Sequence, residues 1–331
     1  MTSHTIILNA ETFDLERTHE SLKTLNEKIE AFQAERPSPW SFPLDAVRQA
    51  RREGKGVFPG LAPDPKGEDI VIEGRGGHAI GARIIRPEGR EARGTYLHFH
   101  GGGWVFGEPA ENDARLRRLA EATGLATLSV DYRLAPEHPF PAGPDDCEDV
   151  ALALSRGEID GLPAGFLAVG GESAGAHLSV LTLLRLRDKH GLTPFRAANL
   201  VAGCYDLSLT PSVRNFGEKR LVLNTDDVKE FVLRFVPDSQ PLMDAAVSPL
   251  YADLRDMPPA LFTVGTRDLL LDDTLFMAAR WMAAGNAATL STWTGGAHVF
   301  QAFDIASAHA SNAEMADFLA RALGDPAAVA A

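Results

Sequence analysis

Three side chains that follow apolar runs have the types needed for acyl transfer: Ser173, Asp268 and His298. A serine hydroxyl is a weak nucleophile until a base takes its proton, and the base needs an acid to orient it. Ser173 is the centre of Gly171-Glu172-Ser173-Ala174-Gly175. The apolar run Phe166-Leu167-Ala168-Val169 precedes it, and Leu178, Leu181 and Leu184 follow at helical spacing. Strand, glycine-flanked turn and helix form the setting in which Gly-x-Ser-x-Gly is a nucleophile elbow. Elsewhere the same five residues would be a glycine-rich turn with an inert serine. His298, the candidate base, lies in Gly295-Gly296-Ala297-His298-Val299-Phe300, just after the run 288–292. Asp268, the candidate acid, directly follows the run 260–264. Asp272 and Asp273 compete for that role, but one turn on they suit the positive N-terminus of the next helix.

Acyl transfer also needs donors for an oxyanion. The strand Tyr96-Leu97-His98-Phe99 runs into His100-Gly101-Gly102-Gly103-Trp104, whose glycines leave backbone N–H groups uncovered. Gly102 and Gly103, with the N–H of Ala174 beside the serine, would surround the oxyanion. The other use of such a loop is a phosphate cradle, but neither Gly-x-x-x-x-Gly-Lys nor a dinucleotide fingerprint is present. His98 and His100 alternate onto one strand face without a third ligand at suitable spacing, so no metal site is expected. Trp104 and Phe300 flank the two key turns and are expected to wall a substrate pocket.

The elements that must hold these groups follow from the periodicity. Leu22, Leu25, Ile29 and Phe32 give residues 14–36 one apolar helical face, ended by Pro37, and a short helix is expected at 44–53. That first face suits either a cap over a cleft or a homodimer contact. Ile70-Val71-Ile72 and Ala82-Arg83-Ile84-Ile85 flank Gly74-Arg75-Gly76-Gly77 and read as an antiparallel hairpin. Strands then alternate with helices to the end, where Ser311 and Glu314 have the spacing of a capping box for a last helix. The expected class is α/β: a doubly wound, mostly parallel sheet with antiparallel leading strands and a helical cap. Residues 207–245 break the alternation with an apolar-faced helix at 226–235. The expected division is therefore cap helices in 1–60, a catalytic core in 61–206 and 246–331, and a cap insertion at 207–245.

Composition narrows the function further. The chain has 331 residues and a net charge of −13, with no basic block beyond Arg51-Arg52, which argues against nucleic acid and anionic membrane as partners. Cys147 and Cys204 show neither zinc nor redox spacing and read as buried thiols in a reducing compartment. Ile6-Ile7-Leu8 is too short for a signal-peptide core, and no stretch approaches a membrane span. A cytoplasmic protein is expected.

Three motifs together carry a resemblance: His100-Gly101-Gly102-Gly103-Trp104, the segment Asp131-Tyr132-Arg133-Leu134-Ala135-Pro136-Glu137-His138-Pro139-Phe140-Pro141-Ala142, and Gly171-Glu172-Ser173-Ala174-Gly175. Residues 69–331 thereby resemble the hormone-sensitive-lipase family of serine carboxylesterases, called family IV among bacterial members, in the α/β-hydrolase fold. The resemblance implies an N-terminal cap, short- to medium-chain acyl esters as small-molecule substrates, and no cofactor. It also implies oxyanion donation by Gly102, Gly103 and Ala174, and a supporting role for the Tyr132–His138 segment. The chain departs from the family pattern with Glu172 where Asp is more usual, and with Leu269 where Pro commonly follows the acid. Two other functions fit the same residues: an amidase or formamidase using the same three side chains, and a non-catalytic binding protein on the hydrolase scaffold.

Overall fold

A computed structural model describes residues 9–324. Helices α1 (Glu20–Ala34) and α2 (Leu44–Arg52) precede the hairpin of β1 (Glu68–Glu73) and β2 (Ala79–Ile85). There follow β3 (Thr95–Phe99), α3 (Asp113–Thr123), β4 (Ala126–Asp131), α4 (Ala142–Ser155), β5 (Leu167–Glu172), α5 (Ala174–His190) and β6 (Ala197–Val201). Next come α6 (Pro211–Asn215) and α7 (Thr225–Phe235), then β7 (Ala260–Gly265), α8 (Leu271–Ala283), β8 (Ala288–Trp293) and α9 (Ala306–Gly324).

The strands form one sheet of order β1-β2-β4-β3-β5-β6-β7-β8. The β1/β2 and β2/β4 pairs are antiparallel and the rest are parallel. The class is the one expected from the alternation of apolar periods. Every residue of β3, β5, β6 and β7 is buried, because helices cover both faces of a parallel sheet. Leu97, Val169 and Leu200 face a core shared with α4, α5 and α8, while Tyr96, Ala168 and Val201 face one shared with α3 and α9. Helix α5, which launches from the serine, is buried along most of its length.

Local chemistry sets several boundaries. Gly124 ends α3 in the left-handed conformation (φ 78°). Asn224 and Asp227 cap the start of α7 reciprocally. The capping box expected at Ser311 is absent. Helix α9 begins at Ala306, so Ser311 lies inside it, where its hydroxyl accepts from Gln301. Glu314 instead receives the Ser291 hydroxyl of the neighbouring β8, so tertiary partners took both side chains of the motif. The alanine-rich tail after Pro326 lies outside the described residues.

The apolar face of α1 is covered within the chain. Leu22, Leu25 and Ile29 pack with Leu221 and Val222 of the 207–245 segment and with Ala297, Phe300 and Ala308. No helix among the described residues is long and apolar enough to cross a membrane.

Candidate active site

Ser173 stands between β5 and α5 with φ 56° and ψ −119°. A non-glycine residue held there costs roughly 1–3 kcal/mol, which the surrounding fold must impose. Two close approaches impose it. A Cβ at Gly171 would lie 2.2 Å from the Phe99 carbonyl oxygen, and one at Gly175 would lie 1.9 Å from the same atom. Only glycine lets strand β5 and helix α5 crowd β3 in this way, and the crowding turns the serine outward. The Ser173 N–H donates to the Val201 carbonyl (2.9 Å), which fixes the turn on β6.

His298 and Asp268 sit on turns after β8 and β7. The imidazole Nδ1 is 2.8 Å and 3.0 Å from the two Asp268 carboxylate oxygens, and both residues are about 3% exposed. The Leu270 N–H also donates to Asp268 (2.9 Å), so the carboxylate cannot swing away. The two turns are stitched together by the Arg267 N–H on the Gly296 carbonyl (3.0 Å) and the Gly295 N–H on the Thr266 hydroxyl (2.8 Å). With Nδ1 engaged, Nε2 is the nitrogen left without a partner among the described residues, and His298 lines the same cavity as Ser173. Asp272 and Asp273 do not reach His298. Asp272 accepts the Ser212 N–H, and Asp273 accepts the N–H groups of Tyr205 and Asp206 and the Thr210 hydroxyl. They tie the start of the 207–245 segment to α8.

The glycine loop lies on the other side of the serine. Gly102 and Gly103 have φ of 123° and 61°, conformations that a side chain resists. Among the described residues no group accepts from the N–H of Gly102, Gly103 or Ala174. The loop is braced from behind by the segment after β4. The Tyr132 hydroxyl donates to the His100 carbonyl (2.7 Å), and the Ala135 N–H donates to the Trp104 carbonyl (2.9 Å). Arg133 in turn is held by Asp146, at 2.7–3.0 Å from both oxygens.

A polar knot below the loop has no counterpart in the motif reading. Glu172, beside the serine, accepts the Gly101 N–H (2.9 Å), bonds His98 Nε2 (3.1 Å) and forms an ion pair with Arg115 (2.9 Å). Burial alone would raise its pKa, but the Arg115 guanidinium and His98 outweigh it and hold the carboxyl well below its usual range. His98 completes the chain through Nδ1 to the Ser129 hydroxyl (2.9 Å). His100 instead bonds the Gly101 carbonyl, so the two histidines belong to separate networks. No group of three or more metal-ligating side chains occurs among the described residues.

Ser173, His298 and Gly101–Gly103 line one cavity of about 170 Å³. Its apolar wall comes from Phe58, Leu223, Phe231 and Val299. A larger cavity of about 410 Å³, between the N-terminal helices and α7, shares Arg51, Phe58, Leu223 and Phe231 with it. The two are therefore one cleft. The expectation for Trp104 and Phe300 is corrected: neither lines this cleft. Trp104 is 3% exposed, stacks on Phe235 (centroids 4.5 Å apart) and donates Nε1–H to His177. Phe300 is fully buried against Trp293 and the α1 face. Both are apolar enough to be drawn behind the turns rather than left in the opening. The walls that replace them had weak sequence signals. Phe231 lay on the apolar face of a recognised helix, while Phe58 lay in no motif.

The sheet order and the elbow define an α/β-hydrolase, and comparison with known proteins agrees. A family model of the alpha/beta hydrolase fold matches residues 96–302. An acetyl-hydrolase of Streptomyces hygroscopicus is 32% identical over 71% of this chain and 76% of its own length. Carboxylic ester hydrolase LipN of Mycobacterium tuberculosis is 36% identical over 67% of this chain and 61% of its own. A hormone-sensitive lipase from a metagenome library superposes with a TM-score of 0.80 at 26% identity, covering 92% of this chain and 99% of that one. The chain belongs to the hormone-sensitive-lipase-like family of α/β-hydrolases.

Proposed function

We propose that the protein is a serine carboxylesterase that hydrolyses short- to medium-chain acyl esters through an acyl-enzyme. The observation that carries the proposal is the arrangement around one cavity: a strained serine, a histidine whose Nδ1 is held 2.8 Å from a buried carboxylate, and three uncommitted backbone N–H groups. The names of the relatives support an ester as the bond attacked.

In the proposed reaction His298 Nε2 takes the Ser173 proton as the hydroxyl oxygen attacks the ester carbonyl. Charge develops on the carbonyl oxygen, and the N–H groups of Gly102, Gly103 and Ala174 meet it without reorganising. Each such donor is worth about 2.7–4 kcal/mol of barrier. Asp268 keeps Nδ1 protonated and stabilises the imidazolium that forms. His298 then protonates the leaving alkoxide, and the alcohol departs. Water, deprotonated by the same nitrogen, attacks the acyl group and restores Ser173. Every group the route needs comes from the chain, with a small-molecule ester as the partner. Helices α1 and α2 and the 207–245 segment act as the cap over this cleft.

The test is labelling by a fluorophosphonate followed by peptide mapping. One label per chain on Ser173, lost in Ser173→Ala together with at least a thousandfold of ester turnover, is expected. A folded Ser173→Ala protein that kept more than about a hundredth of its turnover would overturn the proposal.

A further inference from the structure

The charges lining the cleft do not follow those of the protein. The chain carries 32 lysine and arginine residues against 45 acidic ones. The two joined cavities are lined by six cationic side chains, Arg36, Arg51, Lys55, Arg115, Arg118 and Arg220, and by three carboxylates, Glu111, Glu172 and Asp227. Each carboxylate is consumed by one cation: Glu111 by Arg51 (2.7 Å), Glu172 by Arg115 (2.9 Å) and Asp227 by Arg220 (2.8 Å). Lys55 pairs outside the cleft with Glu53, and Arg36 donates to the Lys55 carbonyl and lies over the Phe32 ring. Arg118, exposed on α3, has no ion-pair or hydrogen-bond partner among the described residues; it lines the same 170 Å³ cavity as Ser173 and His298 at the solvent side, and a neighbouring cavity beside His98.

We infer that the site prefers esters carrying a second, anionic group, a carboxylate at short reach from the scissile bond, with Arg118 as the residue that selects it. This rests on the proposed ester hydrolysis and names its substrate class. An unpaired guanidinium gains most from a carboxylate, which it can engage with two parallel N–H groups. A cleft with a net excess of cations and apolar walls concentrates oppositely charged ligands, here against the repulsion of the protein's own −13. The apolar wall of Phe58, Leu223 and Phe231 takes the carbon skeleton between the two polar ends.

The experiment compares matched esters by proton release in a pH-stat. Monoethyl succinate and 4-acetoxybutyrate place a carboxylate on the acyl or the alcohol side. Ethyl levulinate and 5-acetoxy-2-pentanone are their neutral counterparts of similar size. At low salt, at least one anionic ester should exceed its counterpart in kcat/KM by about two- to fivefold. Arg118→Gln should abolish that ratio, Arg118→Lys should keep part of it, and added salt should reduce it. The inference is overturned if neither anionic ester is preferred, or if the preference survives Arg118→Gln. Hydrolysis of none of the four, with no label on Ser173, would instead sink the proposed function itself.

Discussion

Acid should weaken this protein through His177, a residue the proposed chemistry does not use. Its ring is fully buried beneath the glycine loop, where Nδ1 accepts the Trp104 indole N–H (3.1 Å) and Nε2 donates to the Val247 carbonyl (2.8 Å). That pattern requires the neutral ring, since a protonated Nδ1 would set one N–H against another. Burial, only partly offset by the Val247 carbonyl, pushes its pKa from the ordinary 6.5 down to about 4. The folded state therefore resists a proton that the unfolded state accepts. Above pH 6.5 neither state binds it and stability is unaffected. Between 6.5 and about 4 the unfolded state binds more protons, so stability falls as pH falls, and below about 4 the loss levels off. The drop from 6.5 to about 4 makes the full loss on the order of 3 kcal/mol. The control is His177→Gln, whose amide can accept from Trp104 and donate to Val247 without titrating. Urea unfolding of both proteins at steps from pH 8 to 4.5 isolates the contribution, because all other titrations are common to the pair. The variant should be the less stable at pH 8 and should gain on the wild type by about 1.4 kcal/mol per pH unit below 6.5. A stability difference that stays constant across the range would refute the reasoning.

Asp268→Asn should cost about 10³–10⁴ in kcat by giving His298 the wrong tautomer, while Asp272→Asn should cost less than tenfold. Steady-state rates on a short p-nitrophenyl ester decide this, and a reversed order would move the acid to Asp272. Acyl chains of about two to eight carbons should be preferred, with no activation at an oil–water interface, because the serine opens into a small apolar-walled cavity. A kcat/KM that climbs steadily toward long-chain triglycerides would contradict that.

The grouping of Ser173, Asp268 and His298 could be read from sequence because each sits in a turn directly after a strand. In a parallel sheet the carboxyl ends of neighbouring strands lie together. Once the strands at 166–169, 260–264 and 288–292 were recognised, little else was needed to bring the three side chains to one edge. The glycine loop was legible for a similar reason, since consecutive glycines mark backbone that must come close to something. The failures share a different cause. Ser311 and Glu314 matched a local pattern, but Gln301 and Ser291, far off in sequence or on another element, claimed them. Glu172 reads as a mild substitution in the elbow until Arg115 on α3 is seen to pair with it and His98 on β3 to hydrogen-bond it. An aromatic beside a functional turn can face the opening or the core with equal local logic. Trp104 faces the core because His177 offers its indole an acceptor there.

The two N-terminal helices differ in what they do to the site. Helix α1 buries Leu22, Leu25 and Ile29, each worth about 1.5–3 kcal/mol of transfer free energy. Its Asn26 side chain donates to the Gly295 carbonyl at 2.8 Å in a buried position, three residues before His298. Glu30 bonds Arg267, next to Asp268, and Gln33 both donates to and accepts from the backbone of Val222. Thus α1 touches the turn of His298, the turn of Asp268 and the 207–245 segment at once. Helix α2 buries no residue fully; Leu44 and Val47 pack half-buried against the core, and Arg48, Arg51 and Arg52 pair with Glu137, Glu111 and Glu108. Pairs of that kind, where exposed, contribute about 0.2–1 kcal/mol each. The magnitudes separate the roles. Helix α2 supplies a wall of the outer cavity through Ala46, Val47 and Ala50. Helix α1 is instead part of the frame that sets the distance between Asp268 and His298, although it precedes both by more than two hundred residues in a chain of 331.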